Sequence, residues 1–148
     1  MTPSVYLAGL ISTDHPESLA WRDLAGGRLG MAGFEVITPM RGKDNLAKHT
    51  RDGGVTDPSR TPRDIVLRDY HDVERANVIL VHLELFGSNR PLIGTLCELA
   101  WAWQLRKPVI AICSEDNKLM RNHPFISEFV AHYYPDLYAA IKGVKQVI

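Results

Sequence analysis

Short apolar runs and helical stripes alternate along the chain. Residues 5–9, 34–38, 78–83, 108–112 and 130–134 are apolar runs of strand length, bounded by glycine, proline or polar residues, and such runs read as buried strands. Asp14 is placed to N-cap the first intervening helix, with Pro16 in its first turn. Ala20, Leu24, Gly27 and Met31 then fall at i, i+4, i+7 and i+11, one stripe of that helix. Gly26, Gly27 and Gly30 weaken it by about 1 kcal/mol each relative to alanine, which suits close packing on a sheet, and Gly33 closes it. Thr61-Pro62 opens a second helix running to about Ala76. Residues 94–106 form a third and residues 122–129 a further one. Leu137, Ala140, Ile141, Val144 and Ile148 align along the last. Residues 40–60, with Gly42, Gly53, Gly54 and Pro58, read as a long polar loop. A loop of that length in a compact domain usually has a function, such as a lid.

Strands alternating with helices predict a parallel sheet covered on both faces. Right-handed crossovers make it a doubly wound α/β sheet. For five strands the expected order is 2-1-3-4-5, with the ligand crevice outside the carboxyl ends of the first and third strands. Residues following Gly9, and the loop from Glu84 into the third helix, would line that crevice.

Composition narrows the chemistry. The 148 residues suit a single domain, and 45% hydrophobic with 23% charged residues is ordinary for a globular protein. Seventeen basic and seventeen acidic side chains cancel, which argues against partners that demand excess positive charge, namely nucleic acid and anionic membrane. No apolar run approaches the roughly 20 residues of a membrane span. Met1-Thr2-Pro3-Ser4 lacks the features of a secretory leader, and Cys97 and Cys113 read as two reduced, packed thiols; together these predict a cytoplasmic protein. No glycine-rich nucleotide fingerprint occurs. Neither His71, His82 and His123 nor the cysteines have metal-site spacing. No metal site is expected.

Two acidic features stand out. Glu98 lies at the start of the third helix, in Gly94-Thr95-Leu96-Cys97-Glu98. With Thr95 as N-cap, Glu98 is at N3 and the pair forms a capping box. The same geometry places an ionised carboxylate at the positive end of a helix dipole, where it can attack an electrophilic carbon. Asp69 and Asp72 share a stripe with Ile65 and Ala76 on the second helix. Either they pair with Arg68 or Arg75 at a helix edge, or one of them aims into the crevice to handle a proton. Two carboxylates about 5 Å apart suit glycosidic cleavage through a covalent intermediate.

Taken in order, several motifs resemble the nucleoside 2-deoxyribosyltransferases. They are Val5-Tyr6-Leu7-Ala8-Gly9; Arg68-Asp69-x-x-Asp72 leading into Ala76-Asn77-Val78-Ile79-Leu80; Gly94-Thr95-x-x-Glu98-Leu99-Ala100-x-Ala102; and Lys107-Pro108-Val109. Thr38-Pro39-Met40-Arg41-Gly42-Lys43 is similar to a bacterial and phage branch of that family, and His123-Pro124-Phe125-Ile126 extends the likeness. The resemblance implies a flavodoxin-like fold and a reaction without cofactor. Glu98 would attack C1′ of a 2′-deoxynucleoside, Tyr6 would orient that carboxylate, and Asp69 would handle the proton at the nucleobase. Asp69 is preferred to Asp72 because it precedes Asn77 by the family's spacing. A second base (transfer) or water (hydrolysis) would then resolve the deoxyribosyl-enzyme. Gly9, Arg41, Lys43, Asp72, Ser88, Asn89, Gly94 and Thr95 are the candidate substrate-binding residues.

The chain departs from the family at two places. Asn77 replaces an aspartate. Leu92 stands where deoxyribosyltransferases carry an aspartate for sugar hydroxyls and the related nucleoside 5′-monophosphate N-glycosidases carry a serine for phosphate. Ser88, Asn89 and Arg90 are the nearby substitutes. The partners implied are a small nucleoside or nucleotide and a free nucleobase. The third helix is apolar nearly all round, which predicts burial on more than one side and a homo-oligomer packed through Trp101 and Trp103. Deoxyribosyl transfer is the expected activity, a monophosphate N-glycosidase the first rival, and a non-catalytic nucleotide-binding module the second.

Overall fold

The computed structural model describes residues 1–41, 50–51, 54–55 and 60–148. Its elements are β1 (Ser4–Gly9), α1 (Glu17–Met31), β2 (Glu35–Ile37), β3 (Thr50–Arg51), β4 (Gly54–Val55), α2 (Pro62–Arg75), β5 (Val78–His82), α3 (Ile93–Gln104), β6 (Val109–Ile112), α4 (Lys118–Asn122), α5 (Pro124–Phe129), β7 (His132–Tyr134) and α6 (Leu137–Gln146). The main sheet has the order β2-β1-β5-β6-β7, and every neighbouring pair in it is parallel. Counted within that sheet the order is 2-1-3-4-5, the flavodoxin-like topology expected. β1 pairs with β5 from Val5–Val78 to Gly9–His82, so the carboxyl ends of these two strands lie side by side at the switch point.

β1 is buried throughout, because both faces of the sheet are covered. Side chains alternate across a strand. Tyr6 and Ala8 pack with Val73, Leu99, Ala102 and Ile126 from α2, α3 and α5. Val5 and Leu7 pack with Trp21, Ala25, Leu29, Ala140 and Val144 from α1 and α6. This alternation decides which side chains of β1 can reach α3: Tyr6 does, Leu7 does not. Asn77 sits where the family carries aspartate, and its Oδ1 accepts from the Ser4 backbone N–H at 2.7 Å, an acceptor role that amide and carboxylate oxygens share.

Five expectations need correction. Asp14 does not cap α1, whose N-cap is Pro16 with no side-chain cap. The buried stripe of α1 is Ser18, Trp21, Arg22, Ala25 and Leu29, whereas Leu24 and Met31 of the expected stripe are exposed. Two stripes of similar apolarity compete on this helix, and the one carrying the large Trp21 ring is the one buried. Of the α1 glycines only Gly26 approaches the sheet, at Val36; Gly27 and Gly30 face open space. Residues 40–60 are not wholly irregular, since β3 and β4 form an antiparallel ribbon there. The lid expected of that stretch, with Gly42 and Lys43, lies outside the described residues. Finally, the helix expected over 122–129 is split. His123 ends α4 and N-caps α5, its ring accepting from Phe125 N–H, and Pro124 opens the new helix.

Two glycines make opposite predictions. Gly27 is inside α1 with nothing near a prospective Cβ, so Gly27→Ala should gain up to about 1 kcal/mol and raise the melting temperature by roughly 2–4 °C. Gly9 has φ +154°, and a Cβ there would lie 3.1 Å from the His82 carbonyl oxygen. Gly9→Ala should lose about 1–3 kcal/mol. Thermal melts of the two variants check both signs.

Candidate active site

A cavity of about 410 Å³ opens at the switch point. Gly9, Leu10 and Ile11 form one wall, following β1. Ile65, Val66 and Asp69 come from α2, and Arg90, Pro91 and Leu92 from the segment before α3. Gly94, Thr95, Cys97, Glu98 and Trp101 come from α3 itself, and Pro39 closes a further side.

The expected capping box of Thr95 and Glu98 does not form. α3 already begins at Ile93, after a buried Leu92, and has no side-chain cap. Thr95 therefore lies within the first turn and Glu98 in the second, beyond the stretch where the helix dipole acts strongly. The Glu98 carboxylate, 7% exposed, instead accepts a hydrogen bond from the Tyr6 phenol through Oε2. Burial, then the charges of Glu98 and Asp69, push the Tyr6 phenol well above its ordinary range. Tyr6 thus stays protonated and acts only as a donor. One carboxylate oxygen is fixed from beneath while the residue borders the cavity.

The two aspartates of α2 part company. Asp69 lines the cavity with Glu98. Asp72 is completely buried and does not line it. Asp72 pairs with Arg75 Nε at 3.1 Å and with Arg41 Nη2 at 3.3 Å, so the ion-pair reading holds for this one. Arg41 is thereby turned toward Asp72 rather than the cavity, and its carbonyl accepts from Arg68. Lys43 lies outside the described residues. Gly9, Gly94 and Thr95 line the cavity. Ser88 is buried and accepts from the Arg90 N–H; it shapes the loop rather than the cavity wall. Asn89 borders a neighbouring apolar cavity. Cys113 is buried, but Cys97 is exposed at the pocket, against the expectation of two packed thiols.

Other residues at the site escaped the sequence reading. Trp101, expected at a subunit contact, lines the cavity and meets Tyr70 edge-on at 5.3 Å. Arg22 is nearly fully buried on α1. Burial lowers its guanidinium to about 10, against the opposing pull of Glu98, Tyr6 and Asp69. His82 ends β5 between the rings of Trp21, at 5.2 Å, and Phe86, at 4.6 Å. An arginine on the apolar stripe Ser18–Trp21–Ala25 was the one available signal for Arg22. Among the described residues no three His, Cys, Asp or Glu side chains group as a metal site would require, and no helix is long and apolar enough to cross a membrane.

No family profile and no curated protein matches the chain. Solved structures do. A conserved protein from Enterococcus faecalis aligns over 100% of both chains at 14% identity, with a TM-score of 0.66. A 2-deoxyribosyltransferase from Bacillus psychrosaccharolyticus aligns over 93% of this chain and 90% of its own, at 20% identity and a TM-score of 0.65. A CMP N-glycosidase from Clostridium botulinum covers 98% and 99%, at 18% identity and a TM-score of 0.58. Likeness at this level of identity establishes a common fold.

His82 makes the stability pH-dependent. Burial first, then Arg22, lowers its imidazole to about 4, whereas an unfolded histidine titrates near about 6.5. As pH falls, the unfolded chain takes up the proton first. The stabilisation is therefore complete above about pH 6.5 and is lost progressively toward about pH 4. Melting temperatures across that window should fall more steeply for the wild type than for His82→Asn.

Proposed function

We propose that this chain belongs with the nucleoside 2-deoxyribosyltransferases and is an enzyme that cleaves the N-glycosidic bond of 2′-deoxynucleosides, passing the deoxyribosyl group to a second nucleobase. The observation that carries this reading is that Glu98 and Asp69 border one cavity while the Tyr6 phenol holds the Glu98 carboxylate. The solved transferase and N-glycosidase of the same fold add support.

In this mechanism the Glu98 carboxylate attacks C1′. The C1′–N bond breaks, and its electron pair leaves with the base. The Asp69 carboxyl supplies the proton that neutralises the departing base. The product of this half-reaction is a glycosyl ester on Glu98. A nitrogen of the incoming base then attacks C1′, the ester oxygen leaves as the Glu98 carboxylate, and the proton lost by that nitrogen returns to Asp69. Two displacements at one carbon restore the original configuration. Tyr6 keeps one carboxylate oxygen in place through both. The apolar walls, Pro39, Ile65, Leu92 and Trp101, suit a flat base and disfavour water, which a transferase must exclude until the acceptor docks.

A second reading, hydrolysis of nucleoside 5′-monophosphates, is favoured by Arg90. Its guanidinium borders the cavity and donates to the Ile11 carbonyl at 3.1 Å, while its buried Nε has no partner among the described residues. Leu92 beside it offers phosphate no donor, which weighs toward the unphosphorylated substrate. A homo-oligomer through α3 belongs to the same proposal, supported by Trp103, 55% exposed beside Phe129. Two free cysteines suit a cytoplasmic setting.

Glu98→Gln should fold, because glutamine still accepts from Tyr6, and should lose nearly all turnover; near-normal base release would refute the nucleophile. Asp69→Asn should slow base departure about 10²–10⁴-fold. Asp72→Asn, which disturbs a buried ion pair, should cost about 1–3 kcal/mol of stability with little effect on rate. The reverse ranking would exchange the two roles. Chromatography of reactions with and without a second base separates the two activities. Transfer predicts that the acceptor diverts product from free deoxyribose to a new deoxynucleoside and that a 5′-phosphate gives no advantage. Free base and sugar phosphate alone, whatever the acceptor, would establish the hydrolase.

A further inference from the structure

The cavity at Glu98 has a neighbour that the mechanism leaves unused. A second cavity of about 490 Å³ opens beside it, and each falls within the roughly 300–1,000 Å³ of small-molecule sites. α3 packs between α2 and α5. The first cavity lies on its α2 side and the second on its α4–α5 side. Arg90, Pro91 and Leu92, the segment leading into α3, line both, so the two cavities meet along this one ridge.

The second cavity is apolar in make-up. Leu96 from α3, Leu119 and Met120 from α4, and Phe125, Ile126 and Phe129 from α5 line it. Among the described residues its polar side chains are Asn89, Arg90 and His123, with no acid. Two of these three are engaged within the protein. His123 Nδ1 accepts from the Phe125 N–H at 3.2 Å, and Arg90 Nη2 donates to the Ile11 carbonyl, on the wall of the first cavity. Leu119 and Phe125 are 66% and 69% exposed. Apolar side chains left wet around a concavity mark a surface that gains from being covered by a ligand.

With Glu98 at C1′ and Asp69 at the base, the base lies toward α2. A nucleoside carries its base on C1′ and its 5′ carbon on C4′, on either side of the ring oxygen. The 5′ carbon is therefore turned away from α2, toward the ridge of Arg90, Pro91 and Leu92. Leu92, 3% exposed, offers neither a hydroxyl nor a phosphate a partner there, and the walls beyond it are apolar.

We propose that the second cavity is a subsite for an apolar group on the 5′ carbon, so that the chain takes 2′-deoxynucleosides whose 5′-hydroxyl is replaced by an alkyl thioether. This rests on the catalytic reading above. The subunit contact proposed there centres on Trp103, near the carboxyl end of α3, whereas the subsite begins at Leu92 and Leu96, at its start.

The test combines calorimetric binding with base-release kinetics for 2′-deoxynucleosides of one base that carry a 5′-hydroxyl, 5′-methylthio, 5′-butylthio or 5′-phosphate group. For the wild type, affinity and kcat/KM should rise from hydroxyl through methylthio to butylthio, about tenfold or more overall. Leu119→Asp, a change at an exposed position, puts a charge on the rim and should abolish most of that advantage. A flat or falling wild-type series would overturn the subsite without any variant. A 5′-phosphate preferred to the thioethers would overturn it too, as would a butylthio advantage undiminished in Leu119→Asp. If sedimentation shows that Leu119→Asp loses the advantage together with its oligomeric state, the face belongs to a second copy and the proposal fails. A wild type that binds the series as expected but releases no base sinks the catalytic reading and leaves the subsite standing. Base release with a flat series sinks the subsite alone.

Discussion

The hydrogen bond from the Tyr6 phenol to the Glu98 carboxylate ties the centre of the sheet to the helix that covers it. A carboxylate this deeply buried is costly unless donors and a counter-charge meet it. The fold supplies the donor through strand alternation, which turns Tyr6 toward α3 while Val5 and Leu7 face α1 and α6. It supplies the position through the start of α3 at Ile93, which carries Glu98 into the second turn and away from a capping role. The sheet order completes the arrangement, because the carboxyl ends of β1 and β5 leave a crevice between them.

Charge is distributed around that bond with a division of labour. Asp72 and Asp69 are three residues apart on one helix, yet they meet different surroundings. Asp72 is enclosed by Arg41 and Arg75 and fastens the end of the β2 segment to α2. Asp69 borders the cavity with Glu98. Arg22 and His82 stand on the other side of Tyr6 and shape the same electrostatic environment. The arginine stays charged despite its burial, and the histidine is held neutral beside it.

Much of this was legible in the residues. Continuous apolar runs and helical stripes placed the main strands and the sheet order, since a buried parallel strand must be apolar on both faces. Glu98, Asp69, Gly9, Gly94 and Thr95 were singled out, and all come to one cavity. What failed were choices between local patterns of equal strength. The α1 stripe with Leu24 and Met31 is as periodic as the one with Trp21 and Leu29, and only packing volume against the sheet distinguishes them. Thr95 and Glu98 have capping-box spacing, but buried Leu92 starts the helix earlier. Arg22 went unread and Trp101 looked like a subunit contact because their partners, the β1 carbonyls and the α2 ring of Tyr70, are distant in sequence.

The central claim is that Glu98 forms a covalent bond to the sugar. Its most direct test is to react the wild-type chain with a 2′-deoxynucleoside in the absence of any acceptor base, quench in acid, digest, and map the peptides by mass spectrometry. The account predicts a deoxyribosyl adduct on Glu98 that disappears when a second base is added before the quench. Base release with no adduct on Glu98, or with the adduct on another residue, would contradict it.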